Sequence, residues 1–373
     1  MPIIRGKKYK ISVLILTMES EIERTIVAIE TLIEGIEDGV TISVLLNGGT
    51  NPQLKELLSG NKYINYYESK RNLGVAGGRN FLLRTPESRC SDIIMFLDND
   101  VVCPLDYVRS LAAFLITQEN VGIAGAMVAN IRYIPYDLLQ YFGHNGMFGN
   151  KIFKVKCKEV RKVILSDLKP EDFFHIGMYP DYYISYFSVR PQIYGLLSLP
   201  FRLMGWNRSF SPVLKFNTKY LRMIKEGVQK YLVSNVVGCS QAFRRELIEK
   251  IGYLNEMFNP YGFEDVDFCI RALRAGYKNY IDTSTWLLHG TDSRSSQRNP
   301  NMQYENQFRC LTILAKNIFD KSIKYKPLIL KLLLFNSFAY LFSSRSFVQT
   351  YWRLKAGFKG ISSGLKCIKT EVN

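Results

Sequence analysis

Histidine is scarce in this chain, three in 373 residues, and none of the seven cysteines forms a Cys-x-x-Cys pair. Cys90, Cys103, Cys157, Cys239, Cys269, Cys310 and Cys367 are odd in number and scattered, which argues against a disulfide framework or a structural zinc site and for a reducing compartment. Long hydrophobic runs are also missing. The longest, Leu328–Phe342, has 15 residues interrupted by Lys331 and Asn336, short of the roughly 20 that span a bilayer. Residues 1–10 are basic but run directly into a strand-like stretch, without the apolar core and small-residue cleavage site of a signal peptide. Neither export nor a membrane crossing is expected. No internal repeat or low-complexity tract is visible.

Acidic residues are in deficit, 33 Asp plus Glu against 49 Lys plus Arg, for a formal net charge of +16. Such a balance asks for an anionic partner: nucleic acid, an acidic membrane surface or a phosphorylated small molecule. The excess is unevenly placed, because residues 294–373 carry a net +11 and leave only +5 for residues 1–293. Within Tyr351 to Lys369, Leu354, Phe358, Ile361 and Leu365 share one helical face, and Lys355, Lys359 and Lys366 a neighbouring one. A basic amphipathic helix of this kind can lie on an anionic bilayer, with Leu328–Phe342 adding apolar depth, or it can pack on the rest of the chain or a partner subunit. At 47% apolar and 22% charged residues the chain is an ordinary folded protein, long enough for two or three packed units.

The first hundred residues alternate strand and helix signals. Strands are expected at Ile11–Leu16, Thr41–Leu46, Ile64–Glu68 and Asp92–Leu97, with helices at Ile22–Ile36, Leu54–Leu58 and Gly78–Arg84. This order predicts an α/β fold with helices on both faces of a mainly parallel sheet, in which ligands sit at the carboxyl ends of the strands. From about 130 to 235 the pattern is irregular and aromatic, notably Tyr179–Phe187, and reads as an insertion or a substrate-facing region. Order resumes at Asn235–Arg244. Asp265–Ala275 is a helix with Val266, Cys269, Ile270 and Leu273 on one face and Gly276 to end it.

Four constellations can carry chemistry. Asp98-Asn99-Asp100 follows the apolar strand Ile93–Leu97 directly. By itself such a triplet is as easily a solvated turn, but at a buried strand's end it can hold Mg²⁺ or Mn²⁺ through oxygen ligands. Asn72-Leu73-Gly74-Val75-Ala76-Gly77-Gly78-Arg79-Asn80 is a glycine-rich loop opening a helix. It can bring backbone amides to a phosphate, with Arg79 as a bidentate contact, or it can be a tight strand-to-helix turn; it lacks the Lys-Ser/Thr ending of a P-loop. Tyr261-Gly262-Phe263-Glu264-Asp265-Val266-Asp267 places carboxylates in an aromatic-flanked loop. Capping accounts for Glu264 or Asp267 singly, and Asp265 is the candidate general base. His289 closes the apolar strand Ser284–Leu288 and can join Asp98 and Asp100 around a metal.

In this order the pieces resemble glycosyltransferase family 2 on the GT-A fold, over about residues 10 to 290. The resemblance rests on Asn72 to Asn80, the Asp-x-Asp of Asp98 and Asp100, Gly238–Arg245 as Gly-x-x-x-x-x-Arg-Arg, Glu264 to Gly276, and His289. It implies inverting transfer of a sugar, of hexosyl- or rhamnosyltransferase type, from a nucleoside diphosphate to an acceptor hydroxyl. Donor contacts would come from Thr17, Glu19, Asn47, Asn72, Gly74, Gly77, Arg79 and Asp98. Asp98, Asp100 and His289 would hold Mg²⁺ or Mn²⁺, Asp265 would be the base, and Glu264 and Tyr261 would meet the acceptor. Residues 1–125 would form the nucleotide-sugar half, 126–293 the acceptor and base half, and 294–373 a helical basic region. Where many relatives have an aspartate, the second strand ends in Asn47-Gly48-Gly49; an amide can still pair with uracil or thymine, so the donor is expected to be UDP- or dTDP-linked.

The acceptor implied is a glycan or a lipid-linked glycan, and the expected location is cytoplasmic, peripheral on the inner face of the cell membrane. A homo-oligomer stays open. Two readings from other classes also stand: a metal-dependent nucleotidyltransferase, which would not need Glu264–Asp267 or His289, and a basic nucleic-acid-binding protein. The second is disfavoured because the charge is segregated to a tail with greasy stretches and no binding motif is recognised, so nucleic acid is not an expected partner.

Overall fold

The continuous apolar run Ile11–Thr17 (β1) lies at the heart of a nine-stranded sheet in the computed structural model, which describes residues 3, 4, 6–130, 230–289, 299–319, 327, 329–331, 333, 334, 337 and 346–372. Val40–Asn47 (β2) and Ile93–Leu97 (β4) flank it in parallel, and Ile64–Ser69 (β3) continues parallel beyond β2. Central strands of this kind are apolar without alternation because helices cover both faces. Both faces of the sheet are therefore cores: Leu14, Leu45, Ile94 and Phe96 belong to one, Val13, Ile15, Val44 and Met95 to the other.

The helices fall where the periodicity places them: Ile22–Glu34 (α1), Pro52–Ser59 (α2) and Gly74–Leu83 (α3). α3 starts four residues before the expected Gly78, so the glycines belong to its first turns. Val101–Val102 (β5), Tyr107–Thr117 (α4) and Val121–Asn130 (β6) follow. The sheet is parallel only in its first half. Lys230–Val233 (β7), Ser240–Arg244 (β8) and Lys278–His289 (β9) make the second half mixed, because β8 enters antiparallel between β4 and β6 while β9 lies parallel to β6. The order is β3-β2-β1-β4-β8-β6-β9-β5, with β7 on β9. Glu246–Ile251 (α5) and Glu264–Arg274 (α6) complete this layer. The buried side of α6 is Val266, Phe268, Cys269 and Ala272, rotated from the expected face because Phe268 joins Phe96 and Phe243 in the core.

Pro300–Phe319 (α7) and Phe347–Val372 (α8) form a helical unit with its own apolar cluster. The Arg309 guanidinium ties it down by donating to the carbonyls of Met257, Phe258 and Asn259. On α8 the expected apolar face is only partly right: Leu354, Ile361 and Leu365 pack inward, but Phe358 faces solvent. Gly357, Gly360 and Gly364 make the closest approach instead; a Cβ on Gly360 would lie 2.1 Å from the Glu305 carbonyl oxygen. Tyr179–Phe187 and most of Leu328–Phe342 lie outside the described residues. Among the described residues no helix is long and apolar enough to cross a membrane.

Candidate active site

Strand register decides which side chains meet. Ile15 pairs with Leu97, Thr17 with Leu46 and Asn47 with Ser69, so Asp98 begins a loop at the edge where the parallel strands end. β8 runs the other way with Ser240 opposite Leu97, which brings the turn Gly238-Cys239 beside Asp98. β9 ends with His289 opposite Val101, closing the same edge. The His289 Nε2 lies 3.4 Å from Asp98 Oδ2 and 3.3 Å from Asp100 Oδ1. The acidic pair and the histidine, far apart in the chain, together form the centre of the site.

Its electrostatics suit a cation. Burial pushes the Asp100 carboxyl up to about 6, with His289 and Arg24 pulling it back and Asp98 adding to the rise. Arg24 Nη1 stands 3.9 Å away. The Asp98 carboxyl is held below the usual carboxylate range: desolvation opposes its charge, and His289 and Arg79 overcome that. It is also the accessible member, with 37% of its side chain exposed against 8% for Asp100. Desolvation favours a neutral His289 ring, yet the two acids raise its pKa above the ordinary value. Two carboxylate oxygens within 3.4 Å of an imidazole nitrogen are spaced as ligands of one ion can be. The residues therefore fit Mg²⁺ or Mn²⁺, and a nitrogen ligand favours the softer Mn²⁺. Cys239 stands in the same cluster, its sulfur within 4.8 Å of the Asp98 and His289 donor atoms.

Arg79 occupies a different place from the one its motif suggests. Its guanidinium is buried over the Phe96 ring, 5.0 Å from the centroid. Nη2 donates to Asp98 Oδ1 and to the Gly238 carbonyl, each at 2.9 Å, and Nη1 is 3.9 Å from Glu264 Oε1. Arg79 thus links Asp98 to the Gly238 turn through Nη2.

α6 is entered through two residues with positive φ, Gly262 at 103° and Phe263 at 68°. A phenylalanine in the left-handed region is strained, and here the turn points Glu264 and Asp265 back toward β8. Asp265 Oδ2 accepts from the Gly238 amide at 2.9 Å and Oδ1 from the Val266 amide at 2.8 Å. Burial raises its pKa, against the pull of Arg79 and the two amides. Glu264 is enclosed, its Oε2 accepting from the Gly262 amide at 2.7 Å, and burial and Asp265 push its carboxyl up. Its carboxylate is thus engaged with groups of the chain itself. Tyr261 is half-buried and fastened to α7 by its carbonyl, which accepts from Asn306.

The glycine loop is the turn into α3. Its amides are already satisfied: Asn72 Oδ1 takes that of Gly74, the Pro260 carbonyl that of Val75, and Asn259 Oδ1 those of Ala76 and Gly77. Gly74, at φ +74°, is required because a Cβ there would fall 2.3 Å from Asn259 Oδ1. Asn47 is used up in the same way, accepting from the Leu73 amide and donating to Asn72 Oδ1 and the Gly74 carbonyl. Through these bonds it holds the loop against the end of β2. Thr17 is buried as well, 2.5 Å from the Thr25 hydroxyl and receiving the Asn99 amide, so it braces the acidic loop from below. Glu19 and Asn72 stay exposed, Asn72 beside Gly48 and Glu19 beside Gly49. Asn259, Cys239 and Arg24 escape sequence reasoning. Asn259 has no local signal, since the Ala76 amide it satisfies is 183 positions away, whereas Cys239 sits within a recognised stretch but has an unremarkable side chain.

A sheet with a mixed second half and helices on both faces, carrying an Asp-x-Asp–histidine cluster at its strand ends, has the architecture of the GT-A fold. Residues 14–168, a stretch that holds the glycine loop and the acidic pair, match glycosyl transferase family 2. No curated protein matches the sequence. Among solved structures the chain is similar to GalNAc-T7, crystallised with UDP, GalNAc and Mn²⁺, at 12% identity and a TM-score of 0.50 over 98% of this chain and 57% of that one. The chain thus spans little more than half the length of GalNAc-T7. It is also similar to the mannosyltransferase PcManGT of Pyrobaculum calidifontis, in complex with GDP-Man and Mn²⁺, at 14% identity, 97% and 77% coverage and a TM-score of 0.47. A third is S. aureus TarS 1-349, at 13% identity, 89% and 72% coverage and 0.40. At such identities the likeness is one of fold.

Proposed function

We propose that the chain is an inverting, metal-dependent glycosyltransferase that moves a hexosyl or rhamnosyl group from a UDP- or dTDP-linked donor to an acceptor hydroxyl of a glycan or lipid-linked glycan, at the cytoplasmic face of the membrane. The observation that carries it is the convergence of Asp98, Asp100 and His289 within 3.4 Å at the strand ends, with Asp265 bonded to the neighbouring Gly238 amide. A divalent cation held by the first three would neutralise charge on the departing diphosphate. Everything else falls to the chain's own groups. Glu19 and Asn72, at the open rim, meet the nucleotide. Arg79 holds Asp98 through one nitrogen and the Gly238 turn through the same nitrogen, so the donor-side acid and the base-side turn are positioned together.

Asp265 takes the acceptor proton as the hydroxyl oxygen attacks the anomeric carbon opposite the leaving group. Its raised pKa makes it a stronger base than a free carboxylate, and the two amides keep it from drifting. Asp265→Asn is expected to abolish transfer with donor binding retained; near-normal turnover would remove Asp265 from this role. A panel of nucleotide sugars, scored for Mn²⁺-dependent thermal stabilisation and product formation, tests the reading as a whole. Appearance of a nucleotide, in place of a sugar, on the acceptor would replace it with nucleotidyl transfer.

A further inference from the structure

The three glycines of α8 turn one side of that helix onto α7 and leave a wide opposite side in solvent. Gly357 lies against Leu333, Gly360 against the Glu305 carbonyl, and Gly364 against Arg309 and Thr312. Rotating by about 100° per residue from this glycine seam, Phe347, Val348, Tyr351, Trp352 and Phe358 fall together on the outer side. Their exposure is high for large apolar groups, 79% for Phe347, 68% for Val348 and 59% for Tyr351. Single exposed hydrophobes are ordinary on soluble proteins, whereas a contiguous stripe of five is not.

The charge on this side is of one sign. Lys355, Lys359, Lys366 and Lys369 are all exposed on it, and Lys359 also reaches Glu305 at 3.0 Å. The stripe is also ordered internally: the Tyr351 and Trp352 rings meet edge to face at 5.6 Å, and Lys355 Nζ stands 5.0 Å from the Trp352 centroid. Along the helix the two properties separate. Aromatic and aliphatic groups occupy the first three turns, up to Phe358, and lysines dominate after it. A convex rod of this kind has no groove to track a nucleic-acid backbone. It does match a bilayer surface, where Trp and Tyr occupy the interface, aliphatic groups enter the acyl boundary and lysines meet anionic headgroups.

We propose that the outer side of α8 is a docking surface for an anionic lipid bilayer, with the Phe347–Phe358 end inserted at the headgroup boundary and Lys355, Lys366 and Lys369 on the headgroups. This deepens the membrane part of the reading above, and its test uses no sugar transfer, so the two can fail separately. The docked glycine seam means that α8 need not leave α7 to bind, which sets it apart from an amphipathic helix that folds only on lipid.

The test is cosedimentation of the full chain, without nucleotide or metal, with vesicles of phosphatidylcholine alone or of phosphatidylcholine mixed with phosphatidylglycerol. Binding to the mixed vesicles only, weakened by high salt, is expected. Lys355→Ala with Lys366→Ala should loosen it about thirtyfold, since each lysine near an anionic surface contributes about a factor of five. Tyr351→Ser with Trp352→Ser should loosen it at least tenfold, roughly as expected for withdrawing two interfacial aromatics. These side chains are exposed, so both variants should melt like the wild type, and a matched melting curve accompanies each. Brominated lipid should quench Trp352 fluorescence, with Trp352→Phe as the reference for the other tryptophans. Equal binding to neutral vesicles, no binding at all, or unchanged binding by either variant would overturn the proposal. So would a wild-type dimer that Trp352→Ser dissociates, which would assign this side to a second copy, or preferential RNA binding lost with the same lysines.

Discussion

Replacing Arg79 by methionine separates two roles for this residue. A phosphate contact would be silent in the donor-free protein, whereas a buried brace should be felt there. Arg79→Met keeps much of the apolar stem and removes the guanidinium from Asp98 Oδ1, from the Gly238 carbonyl and from the face of Phe96. Hydrogen bonds to charged groups contribute about 1.5–3 kcal/mol each, and breaking a fully buried ion pair costs about 3–5 kcal/mol. Asp98 is 37% exposed and recovers some hydration, so the low end applies, about 3 kcal/mol. Glu264 and Asp265 also lose the cation that restrains their rise. At about 2–4 °C per kcal/mol for a unit of 150–250 residues, the midpoint should fall by roughly 6–12 °C. Arg79→Lys should recover less than half, because one ammonium cannot keep the two Nη2 contacts, the Nη1 approach to Glu264 and the ring stacking together. The assay is thermal and urea unfolding without nucleotide or metal. A shift below about 2 °C, the size expected of a surface substitution, would refute the brace and return Arg79 to the ligand.

Three further outcomes are expected. Asp100, raised to about 6, and His289, raised above its ordinary value, both favour the fold when protonated. Their contribution is complete below the unfolded values and is lost as pH rises through the folded ones, so the chelated protein should melt at lower temperature at about pH 8 than at about pH 5, and Mn²⁺ should restore more at the higher pH. A flat profile in both conditions would contradict the clustered geometry. Gly360→Val, whose Cβ would begin 2.1 Å from the Glu305 carbonyl oxygen, should cost at least about 1–3 kcal/mol by overpacking and expose α8 to proteolysis; wild-type resistance would mean that the helices do not pack this closely. Exhaustive chelation should abolish sugar transfer, and full activity in the metal-free enzyme would withdraw Asp98, Asp100 and His289 as ligands.

The first four strands and α1 to α3 were legible because each is a short apolar run or a helix-spaced pattern between turn residues. Asp98, Asp100 and His289 were legible for a related reason: a polar group directly after a buried strand has to lie at the sheet's edge. Arg79, Asn47 and the glycine loop show what a sequence by itself leaves out. Each is a good ligand by residue type, and each is bonded to groups far along the chain, Arg79 Nη2 to Asp98 and Gly238, the loop amides to Asn259 and Pro260. Hydrogen-bonding capacity is a property of a residue, but its remaining capacity depends on neighbours that only folding supplies.

By itself, then, the chain's order of residues determined the α/β class, the position of the strand ends and the identity of the acids and histidine that could gather there. Tertiary structure decided the rest. The antiparallel entry of β8 set Gly238 and Cys239 beside Asp98, register carried His289 to within 3.4 Å of two acids, and the glycine seam turned the aromatic side of α8 outward. Each of these is a pairing between distant segments, set by backbone hydrogen bonds and close packing that no local window of sequence contains.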